Sequence, residues 1–386
     1  MTFDIMLNKK DLKIAIVHDF LVEFGGAERV LNVLCEMFPE APIYTILAEK
    51  ENFPAWLKDR KIETSFLQRW PKFLLRRKKW LLPFLPIAPE TFNLREFDLI
   101  ISSSGAWSKG VVTRLDTIHI SYLHSPMRFA WDMHDEYLRG QKRGKMVNLF
   151  TRLVLNYIRL WDFVATDRPE YLIANSQYTK GRIKKYYRRE AIVIYPPVHI
   201  ATQSVSGRSD EETGRKYFLV VSRLSAYKNI DVIIEAFNKL ELPLVIVGKG
   251  EQEKYLKSIA KKNIQFLGFQ PDENLPKIYA GARAFVFSNV DDFGIAPVEA
   301  MLCGVPVLGI RRGGIEEIIQ EGKTGEFFDA ATPEVIADGV RRLRENEHGY
   351  DREMIRARAR EFGEERFKKE LKEFIESKIS RDFSKD

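Results

Sequence analysis

The feature that most constrains this chain is a series of short apolar runs that are continuous instead of alternating. In the first half these are "KIAIVHD" (13–19), "PIYTILA" (42–48), "DLIISSS" (98–104), "IHISYLH" (118–124), "YLIANS" (171–176) and "AIVIYPP" (191–197). In the second half they are "KYFLVVSR" (216–223), "LPLVIVGKG" (242–250), "IQFLGF" (264–269), "ARAFVFSN" (282–289), "VPVLGI" (305–310) and "GEFFD" (325–329). Strands buried on both faces read this way, and parallel sheets are the ones covered on both faces. Helical segments follow most of the runs, as in "FLVEFGGAERVLNVLCEMF" (20–38) and "NIDVIIEAF" (229–237). That alternation predicts a doubly wound α/β sheet, twice over.

A polar, aperiodic stretch holding Pro and Gly, "PPVHIATQSVSGRSDEETGRKY" (196–217), separates the two series. It reads as a linker. The expected organisation is an N-terminal domain over 1–200, a linker over 201–215, a C-terminal domain over 216–360 and a terminal segment over 361–386. The tail "EMIRARAREFGEERFKKELKEFIESKI" (353–379) reads as helical, with Phe367, Leu371, Phe374 and Ile375 on one stripe. A length of 386 residues fits two domains of ordinary size.

Composition narrows the class. With 45% hydrophobic and 30% charged residues, the chain has the make-up of a globular protein with apolar mass for two cores. No stretch reaches the ~18–20 apolar residues that span a bilayer. The first twenty residues lack the apolar region of a signal peptide, and Cys35 and Cys303 lie in apolar segments. A reducing, cytoplasmic setting is expected. The net charge of +7 favours anionic partners without saying which kind.

In doubly wound folds, ligands bind beyond the carboxyl ends of the strands. Arg223 and Lys228 follow such a strand and precede a helix. They are either phosphate ligands, a planar fork beside a mobile point charge, or two solvated cations. In "VDDFGIAPVEAMLCGVPVLG" (290–309), Asp291 and Glu299 are eight apart. Backbone N–H groups of Gly294, Ile295 and Ala296 open the helix between them. Carboxylates there suit sugar hydroxyls; dipole-matched acids at a helix start explain Asp291 and Asp292 equally, but not Glu299. Gly25 and Gly26 either let a backbone approach a ligand or make a tight turn. His124 ends a strand and is either packed or a site group. The segment 69–86, "RWPKFLLRRKKWLLPFLP", interleaves cations with Trp, Phe and Leu. It fits an anionic bilayer surface, a packed excursion or a nucleic-acid contact, of which the membrane reading is preferred. No P-loop, HExxH, GxSxG, CxxC or Asp-x-Asp motif occurs, and the six His lack metal-ligand spacing.

Together, Gly25–Gly26, His124, Arg223 with Lys228, Asp291 with Glu299, and "CGVPVLGIRRGGIEEII" (303–319) resemble the retaining glycosyltransferases of family 4. "HSPMRFAWDMHDEYLRG" (124–140) further resembles mannosyltransferases of the WbaZ type. The resemblance implies the GT-B architecture, two Rossmann-like domains facing across a cleft, with the last helix crossing back to the first domain. It implies a nucleotide-sugar donor, GDP-mannose first and UDP- or ADP-glucose as the alternative. The acceptor would be a lipid-linked glycan or polysaccharide at the inner face of the plasma membrane, with no metal or other cofactor and no nucleic acid. Arg223 and Lys228 would bind the donor diphosphate, and Glu299 the ribose. Asp291 would hold the sugar, helped by amides from Phe293 and Gly294 to Ala296. Gly25 and Gly26 would approach the diphosphate, and His124 the sugar. The family usually has Glu at both ends of the eight-residue spacing, and here the first is Asp291. A non-catalytic sugar-nucleotide sensor remains the alternative of a different class.

Overall fold

The computed structural model describes residues 12–75, 81–132, 145–200 and 216–382. The chain divides into one unit of residues 1–195 with 367–386, and a second of residues 196–366. The expected linker 201–215 lies outside the described residues.

In the first unit, strands β1 (Ile14–Leu21), β2 (Ile43–Ala48), β3 (Ile62–Thr64), β4 (Leu99–Ser104), β5 (Ile118–Leu123), β6 (Tyr171–Ala174) and β7 (Ile192–Val193) form one sheet. Its order is β3-β2-β1-β4-β5-β6-β7, and every neighbouring pair is parallel. β1, the first strand, lies inside the sheet. The chain winds one way through β2 and β3, then returns to β4 on the other side of β1. The switch point therefore falls between β1 and β4. The helix Gly26–Met37 buries Val30, Leu31, Val33 and Leu34 against Ile16, Leu99 and Ile101. Burying each such side chain contributes about 1.5–3 kcal/mol.

The second unit repeats the plan with β8 (Tyr217–Val221), β9 (Leu244–Val247), β10 (Ile264–Gly268), β11 (Ala282–Phe287), β12 (Val307–Ile310) and β13 (Gly325–Phe328). The order β10-β9-β8-β11-β12-β13 puts its switch point between β8 and β11. In the helix Ile230–Leu240, Ile230, Ile233, Ile234 and Phe237 recur at helical spacing and pack on Phe218, Val220, Leu244 and Ile246.

The sequence reading differs from the structure in three places. The tail is not one helix: Arg352–Arg360 and Glu364–Asp382 are separate, with a break at Glu361–Gly363. Buried Phe362 turns into the core against Phe293, and its carbonyl accepts the Val198 N–H at 3.0 Å. Beyond the break, Phe367, Leu371 and Ile375 join the core of the first unit. The run 191–197 pairs only over Ile192–Val193, since Pro196 and Pro197 have no N–H to donate. β3 has no apolar run to announce it, because Glu63 and Thr64 flank a half-buried edge.

Candidate functional site

In the second unit, the loop after β8 runs Ser222-Arg223-Leu224-Ser225 into the 3₁₀ turn Ala226–Lys228. It is held from below by its neighbour. Leu224 N–H donates to Lys249 O at 2.9 Å, and Gln252 N–H donates to Leu224 O at 3.0 Å. The glycines of "GKG" permit this contact. A Cβ at Gly248 would lie 1.9 Å from Ser222 O, and one at Gly250 2.2 Å from Leu224 O. Those glycines let two backbones touch. The loop leaves the Arg223 side chain exposed.

Lys228 and Asp291 meet. Lys228 Nζ donates to both carboxylate oxygens of Asp291, at 2.9 and 2.7 Å. The pair spans the ends of β8 and β11, where the second sheet switches direction, the place such folds bind ligands. Ser288 Oγ ties the two loops by donating to Lys228 O and Asn229 O, each at 3.1 Å. Asn229 itself sits at φ 52°, a left-handed conformation Asn tolerates better than most residues. The two residues expected to hold different parts of a ligand are thus partners within one site.

Beyond Asp291, Gly294 (φ 117°) precedes the helix Ile295–Leu302, and no side chain caps its start. The Phe293 side chain is buried and packs edge-on to Phe362, with centroids 5.5 Å apart. What Phe293 can offer a ligand is its backbone. Glu299 is 3% exposed and accepts the Tyr279 hydroxyl at 2.8 Å. This explains how a carboxylate is kept inside an apolar helix. Burial, helped by the nearby Glu299 charge, pushes the Cys303 thiol up to about 12. Cys35 is also free and buried, and its thiol is raised by burial as well.

Two glycines that sequence reasoning passed over set the position of Asp291. Gly313 and Gly314 lie under the 291–293 loop, and Gly314 N–H donates to Asp291 O at 3.0 Å. A side chain at either would collide with the backbone of that loop.

In the first unit, the expected residues Gly25 and His124 are joined by three that sequence reasoning missed. Gly25 N–H donates to Glu28 Oε2 at 2.7 Å, closing the start of the helix Gly26–Met37. Glu28 Oε1 is 3.3 Å from His18 Nε2, His18 Nδ1 is 3.1 Å from Ser103 Oγ, and Ser103 Oγ is 2.8 Å from His124 Nε2. His18 and Ser103 are register partners on β1 and β4, so this chain crosses the first sheet's switch point. Burial drives the Glu28 carboxyl upward. The His18 hydrogen bond and charge, with the Glu28 and Gly25 backbone N–H groups, outweigh that and hold it below its ordinary value. Beside them Asp19 accepts four backbone N–H bonds, from Gly105, Ala106, Trp107 and Ser108, at 2.6–3.0 Å. This carboxylate staples the exits of β1 and β4.

Among the described residues, no group of three or more His, Cys, Asp or Glu is placed to hold a metal ion. The cations and helix-start amides of the site can neutralise an anion.

Residues 24–202 match the family model for Glycosyltransferase Family 4, and residues 203–362 match that for Glycosyl transferases group 1. An uncharacterized glycosyltransferase of Methanocaldococcus jannaschii is 35% identical over 147 residues, 36% of this chain and 37% of that protein. The alpha-1,3/1,6-mannosyltransferase alg2 of Schizosaccharomyces pombe is 24% identical over 371 residues, 82% of this chain and 71% of that protein. The matches to the first of the curated relatives span only 37–56% of their length. The crystal structure of Anabaena HepE in complex with UDP superposes with a TM-score of 0.67 at 19% identity, covering 95% of this chain and all of that one. The chain therefore has the GT-B fold, with a first part similar to glycosyltransferase family 4 domains and a second part similar to glycosyl transferases group 1 domains.

Proposed function

We propose that this chain is a retaining glycosyltransferase that moves mannose from GDP-mannose to a lipid-linked glycan or polysaccharide at a membrane surface. The observation that carries the reading is the Lys228–Asp291 pair at the switch point of the second sheet. Cleaving a glycosyl–diphosphate bond builds negative charge on the departing phosphate. A cation fixed beside it stabilises that charge, and one such donor is worth about 3–4 kcal/mol. The reading gives this task to Lys228 and Arg223 instead of a metal. An incoming diphosphate competes for Lys228, and Asp291, so released, accepts from sugar hydroxyls. The amides at Gly294 to Ala296 reinforce its hold on the donor. The reading further assigns Glu299 a contact with the ribose, Gly25 and Gly26 an approach to the diphosphate, and His124 a contact with the sugar.

In the transfer step the acceptor oxygen bonds to the anomeric carbon as the carbon–phosphate oxygen bond breaks, on the same face. The acceptor proton passes to the departing diphosphate, so no protein nucleophile is required. The mannose assignment draws support from the 24% likeness to alg2 and from the 29% identity to an Escherichia coli O-antigen chain mannosyltransferase over 200 residues. The UDP bound to HepE favours the second reading, a UDP-sugar donor. Melting curves with GDP, UDP and ADP decide between them, because a ligand stabilises by RT ln(1 + [L]/Kd). GDP is expected to raise Tm most. A larger shift with UDP rejects the mannose assignment. Tight donor binding with no transfer to any lipid-linked acceptor would favour a sensor.

A further inference from the structure

The polar chain across the first sheet's switch point has a direction, and the group at its far end sets it. Glu28 Oε2 accepts the Gly25 N–H at 2.7 Å, and Oε1 faces His18 Nε2 at 3.3 Å. Burial pushes this carboxyl up, but the His18 contacts and two backbone N–H groups outweigh that and hold it below its ordinary value. Near neutral pH it is ionised and can only accept. The ring nitrogen facing it must carry a proton, so His18 Nε2 is an N–H.

His18 and Ser103 are 2% and 0% exposed, so bulk water does not stand in for either. A neutral His18 protonated on Nε2 has its lone pair on Nδ1, which lies 3.1 Å from Ser103 Oγ. The serine hydroxyl has one proton to give. Given to His18, it is not there for His124, whose Nε2 lies 2.8 Å from the same oxygen. Two lone pairs repel at that separation, so His124 Nε2 must itself donate. In a neutral His124 the acceptor is then Nδ1. The ring is also held in place. His124 N–H donates to Ser104 O and Asn175 Nδ2 donates to His124 O, each at 2.8 Å, and the Tyr122 ring stands edge-on with centroids 5.3 Å apart.

We propose that His18 and Ser103 are positioning residues that hold His124 as the tautomer protonated on Nε2, so that its Nδ1 accepts a hydrogen bond from a hydroxyl of the transferred sugar. The sugar contact rests on the reading above; the tautomer does not. The opposite polarity needs a second proton on His18. Its Nδ1 would then donate to Ser103, the hydroxyl would turn to His124 Nε2, and His124 Nδ1 would become a donor. One proton thus decides what His124 presents to a ligand.

The test begins with long-range proton–nitrogen spectra of the full chain carrying nitrogen-15 histidine, at about pH 8, above the ordinary histidine value near 6.5. His18→Gln and His124→Gln assign the two rings. Each is expected to be neutral with Nε2 protonated. A doubly protonated His18, or a His124 protonated on Nδ1, overturns the proposal. In Ser103→Ala the His124 signals should move toward those of a ring exchanging between tautomers, and unmoved signals also overturn it. Titration calorimetry then compares GDP-mannose with GDP. Ser103→Ala should weaken GDP-mannose about fivefold, the worth of one hydrogen bond, and leave GDP unchanged, since GDP has no sugar. Adding it to His124→Ala should cause no further loss, because Ser103 acts through that ring. Equal losses for GDP and GDP-mannose, or losses that multiply in the double variant, overturn the positioning role. Wild type that binds neither ligand, or His124→Ala that binds GDP-mannose as wild type does, removes the sugar contact together with the donor reading, while the spectra still decide the tautomer.

Discussion

Gly314→Ala tests whether the position of Asp291 matters. An alanine Cβ at 314 would lie 2.4 Å from both Asp292 O and Phe293 Cα, and 2.7 Å from Phe293 O. Ordinary van der Waals contact begins near 3.4 Å, so about 1 Å must be found. The obstructing atoms are backbone, so no rotamer change relieves the clash. Gly314 N–H also donates to Asp291 O at 3.0 Å, which keeps the loop from lifting freely. Overpacking of this kind costs about 1–3 kcal/mol of stability. A 1 Å shift of the loop would stretch the 2.7 Å contact between Lys228 and Asp291 past hydrogen-bond range. Displacements of that size cost about 100-fold in turnover. Thermal unfolding and initial rates with GDP-mannose would measure both effects. Gly349→Ala, with nothing within 4 Å of the new methyl, is the neutral comparison. Wild-type Tm and wild-type rate in Gly314→Ala would refute the steric reasoning.

Gly181 lies inside the helix Gln177–Tyr187, and an alanine methyl there would have nothing within 4 Å. Gly181→Ala should therefore raise stability by about 0.5–1 kcal/mol, and a lower midpoint in urea would contradict this. Asp162 accepts from Lys109 Nζ at 2.5 Å, and from Trp131 Nε1–H and Tyr187 OH at 2.7 Å each. Asp162→Ala strands a buried cation and should cost about 3–5 kcal/mol; a loss under about 1 kcal/mol in urea unfolding would refute that. Burial, reinforced by the Arg168 charge, lowers His119 to about 3 from its ordinary 6.5. The unfolded chain then binds the extra proton first, so this stability is complete above about pH 6.5 and is lost as pH falls toward 3. Between pH 6 and 4.5 the wild type should lose up to about 1.4 kcal/mol per pH unit more than His119→Gln, and equal slopes would reject the assignment.

Much of this architecture can be read from the sequence, because buried parallel strands must be apolar on both faces. The runs ending at Val221 and Phe287 carry that signature, and the loops after them hold Lys228 and Asp291. What the sequence hides is pairing across long separations. His18 and Ser103 are 85 residues apart and meet only because β1 and β4 are adjacent. Asp19 looks like the polar end of a strand until the β4 exit wraps its carboxylate. Gly313 and Gly314 stand inside the run 303–319, and only the fold shows what their missing side chains make room for. The helix Lys145–Ala165 shows a different limit. Periodicity cannot tell an apolar face that meets the core from one left outside, and here both are present.

The proposed chemistry depends above all on Lys228 gripping the donor's diphosphate. Calorimetric titration of GDP and GMP into wild type and Lys228→Ala measures this most directly. GDP affinity should fall at least tenfold in the variant while GMP affinity changes little, since GMP lacks the second phosphate. An equal loss for both nucleotides, or no loss for either, would contradict it.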